Sequence, residues 1–94
     1  EFVDSDCFYQ IAEALDYLDR NIVELFDIVI YDTIGVYIGR ENPIKQIRGL
    51  SMIISGKRLK SGNRGLIAIL GPRRMRYDKN IALIEYIRNL LENF

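Results

Sequence analysis

The segment LSMIISGKRLKSGNRGLIAILGP, residues 50 to 72, constrains the fold of this 94-residue chain more than any other stretch. It holds two strand-like runs, LSMIISGKRL and RGLIAILG, around KSGN. Gly62 and Asn63 tolerate positive φ, which suits a hairpin loop. Gly71-Pro72 ends the second run, because proline has no N–H to give to a ladder. A further run, IGVYIG at 34 to 39, is short, β-branched and bounded by glycines, and it predicts a strand buried on at least one side. Between that strand and the hairpin, ENPIKQIRG predicts a small helical turn, with Asn42 as N-cap, Pro43 in the first helical position and Gly49 as terminator.

Helical spacing frames these strands. In CFYQIAEALDYL, Phe8, Ile11, Ala12, Leu15 and Leu18 recur on one face, with Asp4, Ser5 and Asp6 available as caps. The segment NIVELFDIVIYD places Ile22, Leu25, Phe26, Val29 and Ile30 on one side and reads as helix, although its Ile and Val content also suits a strand. From Asp78 as N-cap, a last helix carries Ile81, Leu83, Ile84, Ile87, Leu90, Leu91 and Phe94, an apolar face wide enough to cover a sheet, with Tyr86 beside it. The order is α, α, β, short α, β, β, α. The fold class is therefore α+β, a small antiparallel sheet of about three strands packed by amphipathic helices.

A chain of this length holds one core, as a single domain or as a fragment of a larger one. At 49% hydrophobic and 28% charged residues it has an ordinary globular balance. No apolar run approaches the ~18 residues of a bilayer span, so no membrane partner is expected, and the chain reads as cytoplasmic. The formal net charge is zero, but residues 1 to 34 carry nine acids and one base, a net of −8. Residues 35 to 94 carry twelve bases and four acids, a net of +8. Three arrangements account for such a split: an acidic arm folded onto a basic sheet, complementarity to a second subunit, or a basic face for nucleic acid.

Catalytic chemistry has little to work with. Histidine is absent and Cys7 is the single cysteine, so internal disulfides, imidazole catalysis and nitrogen- or sulfur-ligated metals are excluded. Cys7 reads as a buried structural thiol. No phosphate-cradling glycine motif occurs, and the acids fall on outer helical faces without a pocket to perturb them. Tyr37 and Tyr86 read as core and rim aromatics rather than base-stacking platforms. No enzyme activity, no cofactor and no metal are expected.

Three blocks remain: VYIGRENP at 36 to 43, LSMIIS at 50 to 55 and GLIAILGPRRMRYDKNIALIEYI at 65 to 87. Taken together they resemble the carboxy-terminal part of the heat-inducible transcription repressors of the HrcA family, whose blocks commonly read VxIGxENP, then a serine-led strand, then GPxRMxY before a helix. The residues carrying the likeness are Gly39, Glu41, Asn42, Pro43, Ser51, Gly71, Pro72, Arg74, Met75 and Tyr77. Under that resemblance they are structural or interdomain residues. Arg40, Arg73 and Arg76 depart from the pattern, where polar, acidic or threonine side chains are common. With Lys79, Arg73 and Arg76 form a candidate basic contact surface, aided by Lys57, Arg58 and Lys60.

The resemblance implies part of a GAF-like domain: an acidic helical segment at 1–33, a sheet with a closing helix at 34–94, and no winged-helix DNA reader within the 94 residues. It implies a regulatory and dimerisation role in the parent protein, which would form a homodimer, hold operator DNA through a winged-helix domain and respond to a GroE-type chaperonin. A GAF-like small-molecule sensor, with its cavity between sheet and final helix, and a nucleic-acid contact module are the alternatives.

Overall fold

The computed structural model describes residues 5–29 and 31–93, with side-chain surroundings for 9–29 and 31–92. Three antiparallel strands, β1 (Ile34–Ile38), β2 (Ser51–Arg58) and β3 (Arg64–Gly71), form one sheet in the order β1-β2-β3. Helices α1 (Ser5–Arg20) and α2 (Ile22–Ile28) precede it, and α3 (Tyr77–Leu90) follows. The α+β class and the three strands agree with the expectation from sequence.

Strand alternation decides what lies on each side. Met52 and Ile54 of β2 join Leu66 and Leu70 of β3 and Tyr37 of β1 in the cluster that α1 and α2 cover with Ala14, Leu18 and Leu25. The other face of β2 presents Ser51, Ile53 and Ser55 toward α3, which contributes the fully buried Ile84. With both faces covered, residues 51 to 56 of β2 are all buried, which is why this antiparallel strand reads as a nearly unbroken apolar run. Its two serines need partners there, and each has one. The Ser55 hydroxyl donates to the Thr33 carbonyl at 2.7 Å, and Ser51 meets Tyr77.

The hairpin loop spans 59 to 63, where Leu59 N–H donates to Asn63 O and Gly62 N–H to Leu59 O, both at 2.9 Å. Gly62 takes the positive φ, +93°, and Asn63 does not. At this end of the sheet Arg58 and Arg64, paired across the strands, rest on aromatic faces: Arg58 lies 5.1 Å from the Tyr31 ring centre and Arg64 5.3 Å from that of Phe26. The Tyr31 ring fills the space over Gly56, where a Cβ would come within 2.6 Å of it.

The helix faces differ from expectation. On α1 the inward residues are Ile11, Ala14, Tyr17 and Leu18, while Ala12 and Leu15 point outward. On α2 Leu25 is buried, Ile22 is exposed, and the helix stops at Ile28, with Val29 already extended. On α3 Leu83 and Leu90, expected against the sheet, face solvent. The expectations for Asp4, Ile30 and Phe94 and for the burial of Phe8 and Cys7 lie outside the described residues.

The acidic arm does fold onto the sheet, but not by neutralising it. Glu13, Asp16, Asp19, Glu24 and Asp27 remain exposed. Among the described residues the ion pair joining the two halves is Arg88–Asp32, at 3.8 Å. Apolar burial, worth roughly 25 cal/mol per Å², therefore holds the layers together.

Candidate functional site

The residues carrying the family likeness gather at the end of the sheet opposite the hairpin. There β1 leaves through a 3-10 turn at Gly39–Glu41, a second 3-10 turn at Lys45–Ile47 leads into β2, and β3 runs out at Gly71. Two 3-10 turns replace the expected short helix.

Asn42 explains that replacement. As an N-cap its side-chain oxygen would accept from a backbone N–H. Instead its buried amide nitrogen is surrounded by carbonyls: Leu50 O at 3.0 Å, Gly39 O at 3.1 Å, Tyr37 O at 3.4 Å and Ile47 O at 3.5 Å. The side chain donates inward and fastens both turns to the ends of β1 and β2. The backbone carbonyl of Asn42 receives the Arg48 Nε–H at 2.9 Å. Glu41 closes the first turn by accepting the Ile38 N–H at 3.1 Å. Pro43 is exposed between the turns and starts no helix.

The second strand exit is built by residues that turn back on the sheet. Met75 folds over Gly71, where a Cβ would meet its sulfur at 2.8 Å. Tyr77, in the first turn of α3, donates its phenolic proton to the Arg73 carbonyl. With that proton committed, the Tyr77 oxygen accepts from the Ser51 hydroxyl, 2.8 Å away. The Arg73 stem lies over Gly39, with its Cδ 3.0 Å from where a Cβ would stand. Gly39 has φ +60°, a conformation that favours glycine. The two motif loops are thus packed on each other and share β2.

The arginines of the corner are open to solvent, Arg73 even while it lies over Gly39. Arg73, Arg74 and Arg76 are all exposed, as are Arg40 and Lys79. Among the described residues Arg74 makes no hydrogen bond or ion pair, so its side chain has no visible structural task. The N-cap of α3 is Arg76 rather than Asp78. Asp78 sits in the first turn, where the Arg76 guanidinium at 3.4 Å and the Lys79 amide hold its carboxyl below the ordinary range. Lys57, Arg58 and Lys60 cannot extend this basic surface. They lie at the hairpin end, about 20 Å away along eight-residue strands. Lys57 is also paired with Glu92 at 3.0 Å, which keeps that carboxyl low.

A shallow cavity of about 150 Å³ lies between α1 and the second 3-10 turn, lined by Gln10, Glu13, Gln46, Ile47, Gly49 and Leu50. It is on the α1 side, not between sheet and α3, where Ile53 and Ile84 have no exposed surface. Among the described residues no helix is long and apolar enough to cross a membrane.

The site missed in the sequence is the outer side of α3. Leu83, Tyr86 and Leu90 expose 48%, 62% and 53% of their surface. Helical spacing alone places Leu83 and Leu90 in one broad apolar face with Tyr86 beside it, and does not separate this outer stripe from the side that meets the sheet.

Comparison with known proteins shows the family of the chain. The family model described as the HrcA protein C terminal domain matches residues 1–81. Proteins described as heat-inducible transcription repressor HrcA are 34% identical over 86 residues in Thermodesulfovibrio yellowstonii, 32% over 93 in Syntrophobacter fumaroxidans and 33% over 96 in Oceanobacillus iheyensis. These alignments cover 89%, 97% and 99% of this chain, and 24%, 26% and 27% of the relatives, so the chain spans about a quarter of the curated relatives it matches. No solved structure matches it significantly. The chain belongs to the HrcA family, in the part its model calls the C terminal domain.

Proposed function

We propose that the chain is a regulatory and assembly domain, without catalysis of its own, of a bacterial heat-shock transcription repressor that controls chaperone operons as a homodimer. The observation that carries this reading is the outward stripe of α3. Lys79, Leu83, Tyr86 and Leu90 follow each other at intervals of four, three and four, the spacing of a seam between two helices. Ala82 and Asn89 flank the stripe, so a second copy lying antiparallel would set Leu83 against the partner's Tyr86 with no like charges opposed. Three such side chains fall short of the ~800 Å² per partner of a standard interface. Association of this chain alone is therefore weak and concentration-dependent.

In the whole protein the task would be to hold two winged-helix domains at a fixed separation, since inverted half-sites demand matching two-fold symmetry. By family likeness the modulating partner is a GroE-type chaperonin. A marginal fold, worth roughly 5 to 15 kcal/mol, lets heat or loss of that partner shift the population toward inactive forms. Light scattering on the chain and on a Leu83→Glu/Leu90→Glu variant tests the assembly surface. A concentration-dependent dimer that the variant abolishes supports it, and a monomer throughout, or a dimer the variant leaves intact, removes it. Equal operator affinity of the whole protein with and without chaperonin across a heat ramp would remove chaperonin control.

A further inference from the structure

The arginine corner does two jobs with alternate side chains. Met75 and Tyr77 turn inward and make the bend, while Arg73, Arg74 and Arg76 face solvent, joined by Lys79 and by Arg40 from the neighbouring loop. We propose that Arg40, Arg73, Arg74, Arg76 and Lys79 form a docking surface for the phosphate backbone of duplex DNA.

The charge at this end is largely unspent. Its acids are Glu41, whose carboxylate is bonded to the Ile38 amide, and Asp78, which is paired with Arg76. Of the five cations, Arg76 alone has an acidic partner among the described residues, and Arg40, Arg73, Arg74 and Lys79 are left without one. The first turn of α3 adds the positive end of its dipole to the same corner, while its amides are engaged locally, Tyr77 N–H with Met75 O, Asn80 N–H with Arg76 O and Lys79 N–H with the Asp78 carboxylate. Position is fixed as well as charge. The Arg73 stem is held against Gly39, and the bend beneath Arg74 and Arg76 is locked through Tyr77 to the buried Ser51. A backbone held in this way sets where the arginine side chains emerge, and each guanidinium offers forked donors to phosphate oxygens.

The make-up of the patch favours nucleic acid over an acidic protein. Protein interfaces have an apolar, often aromatic centre within a polar rim. Here the aromatic and the methionine are turned into the fold, Ile38 is exposed only at the margin, and the centre is cationic. Interfaces with duplex DNA are polar and strongly positive, and backbone contacts fix position without reading sequence. The surface would therefore grip DNA beside a specifically read site, whatever its sequence.

This inference takes from the preceding reading only that DNA is at hand; the two surfaces share Lys79, but the variants that test this one leave Lys79, Leu83, Tyr86 and Leu90 unchanged and need no chaperonin. Fluorescence anisotropy of the chain with a labelled random duplex of about 20 base pairs would be followed between about 50 and 200 mM salt. Five phosphate contacts predict a log–log salt slope of about −4.5, and an Arg40→Gln/Arg74→Gln/Arg76→Gln variant should flatten it by about 2.7. That variant leaves Arg73 in place over Gly39, and an unchanged melting temperature shows that it folds. An Arg58→Gln/Lys60→Gln variant at the hairpin end should keep the full slope. No binding at the lowest salt, equal losses from both variants, or displacement of DNA by polyglutamate at lower charge concentration than by unlabelled duplex would each overturn the proposal.

Discussion

The Ser51 hydroxyl lies 2.8 Å from the Tyr77 oxygen and ties the buried central strand to the first turn of the closing helix. Because Tyr77 passes its own proton to the Arg73 carbonyl, the link is directional: strand to helix to corner. Tyr77→Phe removes both bonds and leaves the Ser51 hydroxyl unpaired in the interior, which costs about 1–3 kcal/mol. Ser51→Ala keeps the bond to Arg73 and should cost less, about 1 kcal/mol. Urea denaturation of both variants gives the order, and equal or reversed losses would contradict this directionality.

Asn42 is the second fastening. Asn42→Leu, close in volume, withdraws the amide from four carbonyls and should cost about 3 kcal/mol, toward the upper end for a single substitution. Pro43→Ala, at the exposed neighbouring position, should stay within about 1 kcal/mol. Thermal melts of the two variants separate a polar fastening from a general sensitivity of this loop.

Two glycines should respond differently. Gly56→Ala drives a methyl to within 2.6 Å of the Tyr31 ring and must displace it, unseating the aromatic support under Arg58. A loss of about 2 kcal/mol is expected, within the 1–3 kcal/mol of overpacking. Gly62→Asn meets no atom within 4 Å and occupies the left-handed region that Asn tolerates, so it should cost under about 1 kcal/mol. Denaturation midpoints compare them directly.

Acid should loosen the hairpin end and the start of α3 together. Glu92, beside Lys57, and Asp78, beside Arg76, both titrate below their ordinary values in the folded chain. A depressed carboxylate contributes stability above its unfolded pKa, and that contribution is lost as pH falls from about 4.3 for Glu or 3.9 for Asp through the lower folded value. Both carboxylates are exposed, so the effect is small and salt-sensitive. Side-chain NMR titration should place both midpoints low, and Lys57→Met should return Glu92 to its ordinary range while leaving Asp78 unmoved.

The sheet was legible because its strands carry their own punctuation. Gly62 supplies the loop's positive φ, Gly71-Pro72 ends β3, and the β3 bounds agree residue for residue. The helix faces were less so. Periodicity marks which residues are apolar but not which side the rest of the fold covers, so it points Leu15, Leu83 and Leu90 inward, where the fold exposes them, and gives no sign that Ala14 and Tyr17 face the core. Asn42 misled for a chemical reason: its amide both donates and accepts, and only the ring of carbonyls shows that donation wins. The basic residues grouped naturally along the chain, yet the length of β2 and β3 separates Lys57, Arg58 and Lys60 from Arg73, Arg74 and Arg76.

Helix α3 and the 3-10 turn that continues it, Leu91–Asn93, are pinned to β2 at two points, Tyr77 to Ser51 and Glu92 to Lys57. From Ser51 to Lys57 the strand advances about 20 Å, and from Tyr77 to Glu92 the helical path advances about 22 Å. The two spans act as matched rulers. A one-residue insertion or deletion inside either would break one fastening or rotate the helix by a hundred degrees, so drift in chain length among relatives should be kept out of this frame and is free to occur in the loop at 59–63.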